Sequence, residues 1–163
     1  MRDLTENLGI GQGSLYAAFG SKDGLYRAAL EHYRTTLAVN ALQCLQTGAG
    51  ARSAIRAMLM ERIRIAVDHK GRGCMFVNAA AERLPADAAT RDTVRDALAV
   101  TQDALSELLS AAMERGEITS RRTPEAFAAF LVTFLNGLLI TAKITPDVRA
   151  LEPLVDTALA CLD

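Results

Sequence analysis

Apolar positions recur at helical spacing along most of this chain, and glycine and proline divide the pattern into segments. Leu4 and Leu8 stand four apart in a short polar run, and Leu15 and Phe19 repeat that interval beyond Gly9. The spacing predicts a short helix over 2–8 and a second over 12–19, with Leu15 and Phe19 turned inward. Between them Gly9 supplies the positive φ that a tight helix-to-helix turn needs, and Ile10 is expected to drop into the angle between the helices. Gly20 then stops the second helix, and Ser21 stands where a hydroxyl can cap the next.

Longer helices are predicted beyond this pair. One spans 21–46 and closes at Thr47-Gly48-Ala49-Gly50. The segment 51–68 places Ile55, Met58, Leu59, Arg62, Ile63, Ala66 and Val67 at helical spacing and breaks at Lys70-Gly71-Arg72-Gly73. Another covers 74–84, ending at Pro85. The next runs from 88 or 90 to 115, with Val94, Leu98, Leu105, Leu108, Leu109, Ala112 and Met113 inward and Gly116 as its stop. Thr123-Pro124 and Thr145-Pro146 each offer a hydroxyl N-cap followed by proline in the first turn, which opens helices over 124–143 and 146–162. Pro153 is expected to kink or restart the last of these.

Composition narrows the class. The chain has 163 residues, half of them hydrophobic and 5% aromatic, with no Trp. Abundant Ala and Leu with few β-branched runs make the expected fold all-α. The net charge of -1 identifies no polyanionic partner. No apolar stretch is read as long enough to span a bilayer and no signal peptide is seen, so no membrane partner is expected. Cys44, Cys74 and Cys161 are odd in number and widely separated, which argues against a disulfide framework and for a reducing, cytoplasmic setting. His32 and His69 lack the spacing of a metal site, and His69 beside Lys70 reads as a solvated helix end. There is no phosphate loop after a strand, no nucleophile elbow, no His-Glu-x-x-His and no Cys-x-x-Cys. Carboxylates fall beside arginines, as in Glu61-Arg62 and Glu82-Arg83. Neither an enzyme nor a cofactor is expected.

Residues 8–22 carry the sharpest chemistry, reading as the turn and second helix of a helix-turn-helix. The outer face of that second helix offers Gln12, Gly13, Ser14, Tyr16 and Ala17, and Lys22 follows at the start of the next helix. Small residues allow close approach to a duplex, while Gln, Ser and Tyr supply donors for base edges and phosphates. The run Leu15-Tyr16-Ala17-Ala18-Phe19-Gly20-Ser21-Lys22, leading into a long helix, resembles the TetR-type transcriptional regulators. The alternative is a helical hairpin that packs Tyr16 and Phe19 into a core. The resemblance implies a DNA-binding domain over 1–38 and a ligand-binding and dimerisation domain over 39–163. It also implies a homodimer on a palindromic operator and a small-molecule effector.

Two features qualify that expectation. In the family a basic tail and a first helix precede the point where this chain begins. Over residues 1–36, moreover, Arg2, Lys22, Arg27 and Arg34 are balanced by Asp3, Glu6, Asp23 and Glu31. Phosphate neutralisation supplies much of DNA affinity, so weak DNA binding by this chain alone is expected. The rival expectation is a ligand-binding or interaction dimer that has lost DNA binding.

Family resemblance assigns the dimer contact to the last two helices. Phe127, Phe130, Leu131, Phe134, Leu135, Leu138 and Leu139 give the penultimate helix more apolar surface than one stripe needs, and Leu151, Leu154, Val155, Ala158, Leu159 and Leu162 do so for the last. Expected interface residues are Phe127, Leu131, Leu135, Leu138, Leu154, Val155, Ala158 and Leu162. Met60, Arg64, Asn78, Thr101, Gln102 and Asn136 are polar or soft side chains on otherwise apolar helices. The effector cavity is expected among Met60, Arg64, Cys74, Asn78, Thr101, Phe130 and Phe134. Cys74 has two readings: a thiol that senses oxidants or electrophiles, and a small residue filling a tight helix crossing.

Overall fold

A computed structural model describes residues 2–46, 50–68 and 72–162. Eight helices and no strand occur among them: α1 Arg2–Leu8, α2 Gln12–Phe19, α3 Lys22–Gln46, α4 Ala51–Asp68, α5 Met75–Arg83, α6 Ala88–Glu114, α7 Pro124–Ile144 and α8 Val148–Ala160. The fold is all-α. The expected turn at Thr47-Gly48-Ala49 and helix end at His69-Lys70-Gly71 lie outside the described residues.

α4 is the centre of the packing, in contact with α3, α6, α7 and α8. Ile55, Met58, Leu59 and Ile63 are almost completely buried because neighbours surround it on several sides. Polar ties join it to α8: Arg56 pairs with Glu152 at 2.6 Å and Asp156 at 2.8 Å, and Arg52 donates to the Leu159 carbonyl at 2.6 Å. α6 and α7 form the broadest contact, and α3 lies against α4, α5 and α6. Among the described residues α7 is long and apolar enough to cross a bilayer by length and composition. That corrects the expectation that no such stretch exists. Within the fold, Phe127, Ala128, Leu131, Val132, Leu135, Leu138, Leu139 and Ala142 bury that apolarity against α4, α5, α6 and α8.

Caps set the helix boundaries. Ser21 Oγ accepts from Gly24 N at 2.9 Å, and Thr123 Oγ1 from Ala126 N at 3.3 Å. Asp87 opens α6 by accepting from Thr90 N at 3.0 Å. α8 departs from expectation, starting at Val148 with Asp147 as its cap, which accepts from Arg149 N at 2.9 Å. Thr145 instead closes α7, donating its N–H to Thr141 O. α8 then runs through Pro153 without a restart. Proline forfeits one main-chain bond there, while Leu151, Val155, Ala158 and Leu159 stay buried on both sides of it.

The N-terminal pair is more open than its apolar spacing suggests. Leu15 is buried, but Phe19 is 39% exposed, and Leu4 and Ile10 are each 43% exposed. Phe19 and Ile10 were expected to be inward. α1 contacts only α2, and α2 reaches the rest of the protein only through α3, so no described layer covers those side chains. The Leu8 side chain lies outside the described set.

Candidate functional site

α2 is anchored from beneath and free above. Leu15 is its buried side chain, where α2 packs on α3, whereas Gln12, Gly13, Ser14, Tyr16 and Ala17 are all exposed. Gly11 caps it without a side-chain hydrogen bond, so no side chain occupies its N-terminus. A helix N-terminus of this kind favours phosphate by its dipole and its N–H groups. Gly9 turns the chain with φ 66°. The α2–α3 junction depends on Gly24, where a Cβ would overlap the Phe19 carbonyl oxygen. Lys22, the first residue of α3, is exposed just beyond that junction. All six residues expected at the DNA interface are therefore on the surface.

One polar cluster links this module to the body of the protein. Arg83, the last residue of α5, pairs with Asp23 on α3 and with Asp87 at 2.9 Å, and its guanidinium lies 4.3 Å from the Tyr26 ring centroid. Hydrogen bonds from Thr90, and then from Arg83, hold the Asp87 carboxyl down at about 2. The α3 segment nearest α2 is thus tied to both the end of α5 and the start of α6. Sequence reasoning did not single out Arg83, because its partners stand 60 residues upstream and four downstream.

At its other end α5 forms the wall of a chamber of about 40 Å³. Of the residues expected at an effector cavity, Thr101 and Cys74 line it, together with Arg34, Arg62, Met58, Leu98 and Asn136. The remaining cavity candidates lie elsewhere. Met60 is buried away from the chamber, and Arg64 is exposed beside Glu61 at 3.5 Å. Asn78 donates to the Arg72 carbonyl at 2.9 Å and accepts from Lys143 Nζ at 2.8 Å. Phe130 is exposed and stacks on half-buried Phe134, centroids 6.0 Å apart. On α4 the chamber takes Met58 and Arg62, two residues before Met60 and Arg64, because a two-residue step turns a helix by about 200°. Sequence reasoning missed Arg62; a charge standing in the apolar register of 51–68 is the signal that could have found it.

Cys74 is buried where α3, α4 and α5 meet. Its sulfur accepts from Tyr33 Oη and from Arg62 Nη2, both at 3.5 Å. Burial, and then the neighbouring Cys74, push the Tyr33 hydroxyl up to about 12, so it remains a donor at neutral pH.

The expected dimer residues need correction. Phe127, Leu131, Leu135, Leu138, Val155, Ala158 and Leu162 are already buried inside the protomer, so their side chains have almost no surface left for a partner. All of them but Ala158 belong to the hydrophobic core cluster, and Ala158 is buried beside it on α8. Leu154 alone of that set is exposed. The unpartnered face of α7 instead presents Phe130, Thr133, Gly137, Ile140 and Ile144, spaced by three and four residues, and α8 adds Ala150, Leu154 and Thr157. Apolar spacing could not separate these faces because α7 is apolar nearly all round.

Comparison with known proteins agrees with this architecture. A family model described as bacterial regulatory proteins, tetR family, matches residues 1–29. A second, described as tetracyclin repressor-like, C-terminal domain, matches 51–158. The chain is 28% identical to the uncharacterized HTH-type transcriptional regulator YezE of Bacillus subtilis (strain 168), covering all of this chain and 85% of that protein. It is 25% identical to the HTH-type transcriptional repressor ComR of Escherichia coli (strain K12), covering 98% and 77%. Among solved structures, it is 30% identical to a cysteine mutant of the TetR family transcriptional regulator CifR complexed with operator DNA. That match has a TM-score of 0.85 and covers 100% of this chain and 86% of the other.

Proposed function

The chain belongs to the TetR family of transcriptional regulators, which are non-enzymatic DNA-binding proteins, and from that premise we propose that it is a cytoplasmic, effector-responsive repressor acting as a homodimer on a palindromic operator. The observation that carries this reading is the exposed face of α2, packed on α3 and open at its N-terminus. In a two-fold dimer, two such helices enter successive major grooves about 34–36 Å apart. Gln12, Gly13, Ser14, Tyr16 and Ala17 face the bases and backbone, and Lys22 meets a phosphate.

α3 is continuous from Lys22 to Gln46, so the two functional regions, 1–38 and 39–163, share one helix. It runs from the junction with α2 to the chamber wall, where Leu37 and Ala41 stand. A ligand in the chamber shifts α3 relative to α5 and α6, and the Arg83 cluster carries that shift to Asp23 and Tyr26. The recognition helices then lose the required separation. Such a ligand moves the equilibrium only by its preference for one state.

The test is operator binding by gel shift, with dimerisation followed in parallel. Tyr16→Ala and Lys22→Ala each weaken binding about tenfold, and Lys22→Ala also lowers the salt dependence by roughly one phosphate contact, with the dimer intact. Unaltered affinity in both variants would remove α2 from the interface. A wild-type dimer that binds small molecules but no DNA would replace the repressor reading with the binding-dimer alternative.

A second reading concerns Cys74, because its sulfur borders the chamber and a solved relative was studied as a cysteine mutant. In this reading the thiol adds across an activated carbon–carbon double bond: sulfur bonds to one carbon, and the thiol proton ends on the other. N-ethylmaleimide then lowers the operator affinity of the wild type and spares Cys74→Ser. Equal responses in the two proteins defeat it.

A further inference from the structure

Two adjoining spaces lie among α3–α7, and their chemistry differs. The inner chamber of about 40 Å³ has Arg62 in its wall. Outside it, a groove of about 380 Å³ between α5, α6 and α7 is lined by Val77, Ala80, Val94 and Ile140. Phe76, Leu98 and Asn136 belong to both walls. One ordered water needs roughly 10–15 Å³ of such space, so the chamber admits a group of only a few heavy atoms. The groove reaches the ~300–1,000 Å³ range of small-molecule sites.

Charge separates the chamber from an ordinary packing gap. A guanidinium carries five N–H donors, and a thiol sulfur is a weak acceptor. The hydrogen bond that Arg62 makes goes to such a sulfur, Cys74 Sγ at 3.5 Å. Arg34, the other guanidinium in the wall, is neutralised by Glu31. No Asp or Glu lines the chamber. Among the described residues, Arg62 takes part in none of the ion pairs. α5 begins at the same point, and its N-cap Cys74 makes no side-chain cap bond, so the helix dipole adds positive potential. A half-buried cation short of acceptors favours an anion, and the planar fork of arginine matches a carboxylate.

We propose that chamber and groove together bind a small amphipathic carboxylate, with its head group on Arg62 and its apolar chain along the groove. Asn136 stands where head meets chain. Binding follows from the cavity alone; its effect on operator affinity rests on the effector-responsive reading above.

Calorimetric titration of the protein with octanoate, 1-octanol and acetate tests this. Octanoate binds, while 1-octanol, which lacks the charge, and acetate, which lacks the chain, bind at least about tenfold more weakly. Arg62→Gln lowers octanoate affinity by about the same factor and leaves 1-octanol unchanged. Ala80→Phe, which fills the groove without touching Arg62, weakens octanoate as well and serves if Arg62→Gln does not fold. Equal binding of octanoate and 1-octanol, undiminished octanoate affinity in Arg62→Gln or Ala80→Phe, or no octanoate binding at millimolar concentration overturns the proposal. Octanoate that binds through Arg62 without changing the gel shift overturns the effector-responsive reading and leaves the carboxylate site standing.

Discussion

Individual side chains here act through the partners the fold gives them. Asp87 shows this most directly, since it caps α6 and receives Arg83 from α5. Its carboxyl titrates at about 2 in the folded protein against an ordinary 3.8. A depressed folded value means the charged form stabilises the fold. That contribution is complete above the unfolded value and disappears as pH falls through the folded one. Asp87→Asn keeps a capping acceptor but cannot ionise. The thermal midpoint of the wild type should therefore exceed that of Asp87→Asn near neutrality, and the gap should close between about pH 4 and pH 2. A gap that stays constant across that range would mean the charge contributes nothing. Arg62 and Arg83 are the other residues whose importance is positional. Each stands beside an apolar or acidic run in sequence, and only packing separates them from arginines such as Arg64 or Arg95, which pair on the surface.

At the scale of elements, α3 and α5 are the helices that the proposed effector response runs through. α5 has nine residues, with Cys74 and Phe76 at the chamber end and Arg83 at the other, against α3. In the proposed mechanism this short helix, held at both ends, acts as a strut that carries displacement at the chamber to Asp23 and Tyr26. Arg83→Met removes both ion pairs and the ring contact while preserving the aliphatic stem. Operator affinity without effector should change little, whereas the drop in affinity that effector causes should shrink several-fold, within the ~1–3 kcal/mol of a usual coupling energy. Gel shifts with and without ligand measure that ratio, and an unchanged ratio would place the coupling elsewhere. α4 has a different part. Its buried residues and its arginine ties to α8 make it the most enclosed helix of the packing.

At the scale of the whole molecule, the described residues leave a long apolar stripe uncovered on α7, with a flank on α8. Phe130, Ile140, Ile144 and Leu154 are its large exposed residues, Ile144 at 78%. A self-complementary two-fold contact is the economical cover for such a stripe. Gly137 stands in its middle, and a Cβ added there meets nothing within 4 Å in the protomer. Gly137→Glu should leave the circular dichroism of the protomer unchanged and convert dimer to monomer in sedimentation equilibrium, with operator binding lost. A Gly137→Glu protein that remains dimeric would move the interface away from α7. Leu131→Ala, on the opposite face of α7, should instead lower unfolding stability by about 2–5 kcal/mol through a buried cavity.

Sequence by itself determined the helices and the family. Helix identity depends on local signals, and Ser21, Gly9, Gly20 and Thr123-Pro124 each act within a few residues of where they stand. The face of α2 was legible for the same reason: one buried leucine fixes the rotation of an eight-residue helix, and the polar and small residues then face outward. Choices between distant segments were not legible. Asp147 displaced Thr145 as a cap, and Arg62 displaced Arg64 at the chamber. The exposed face of α7 fell on Phe130, Gly137 and Ile144, and the leucines expected at an interface went to the core. In each case several residues had suitable chemistry, and the tertiary structure chose among them, because burial and pairing depend on which neighbour arrives from elsewhere in the chain.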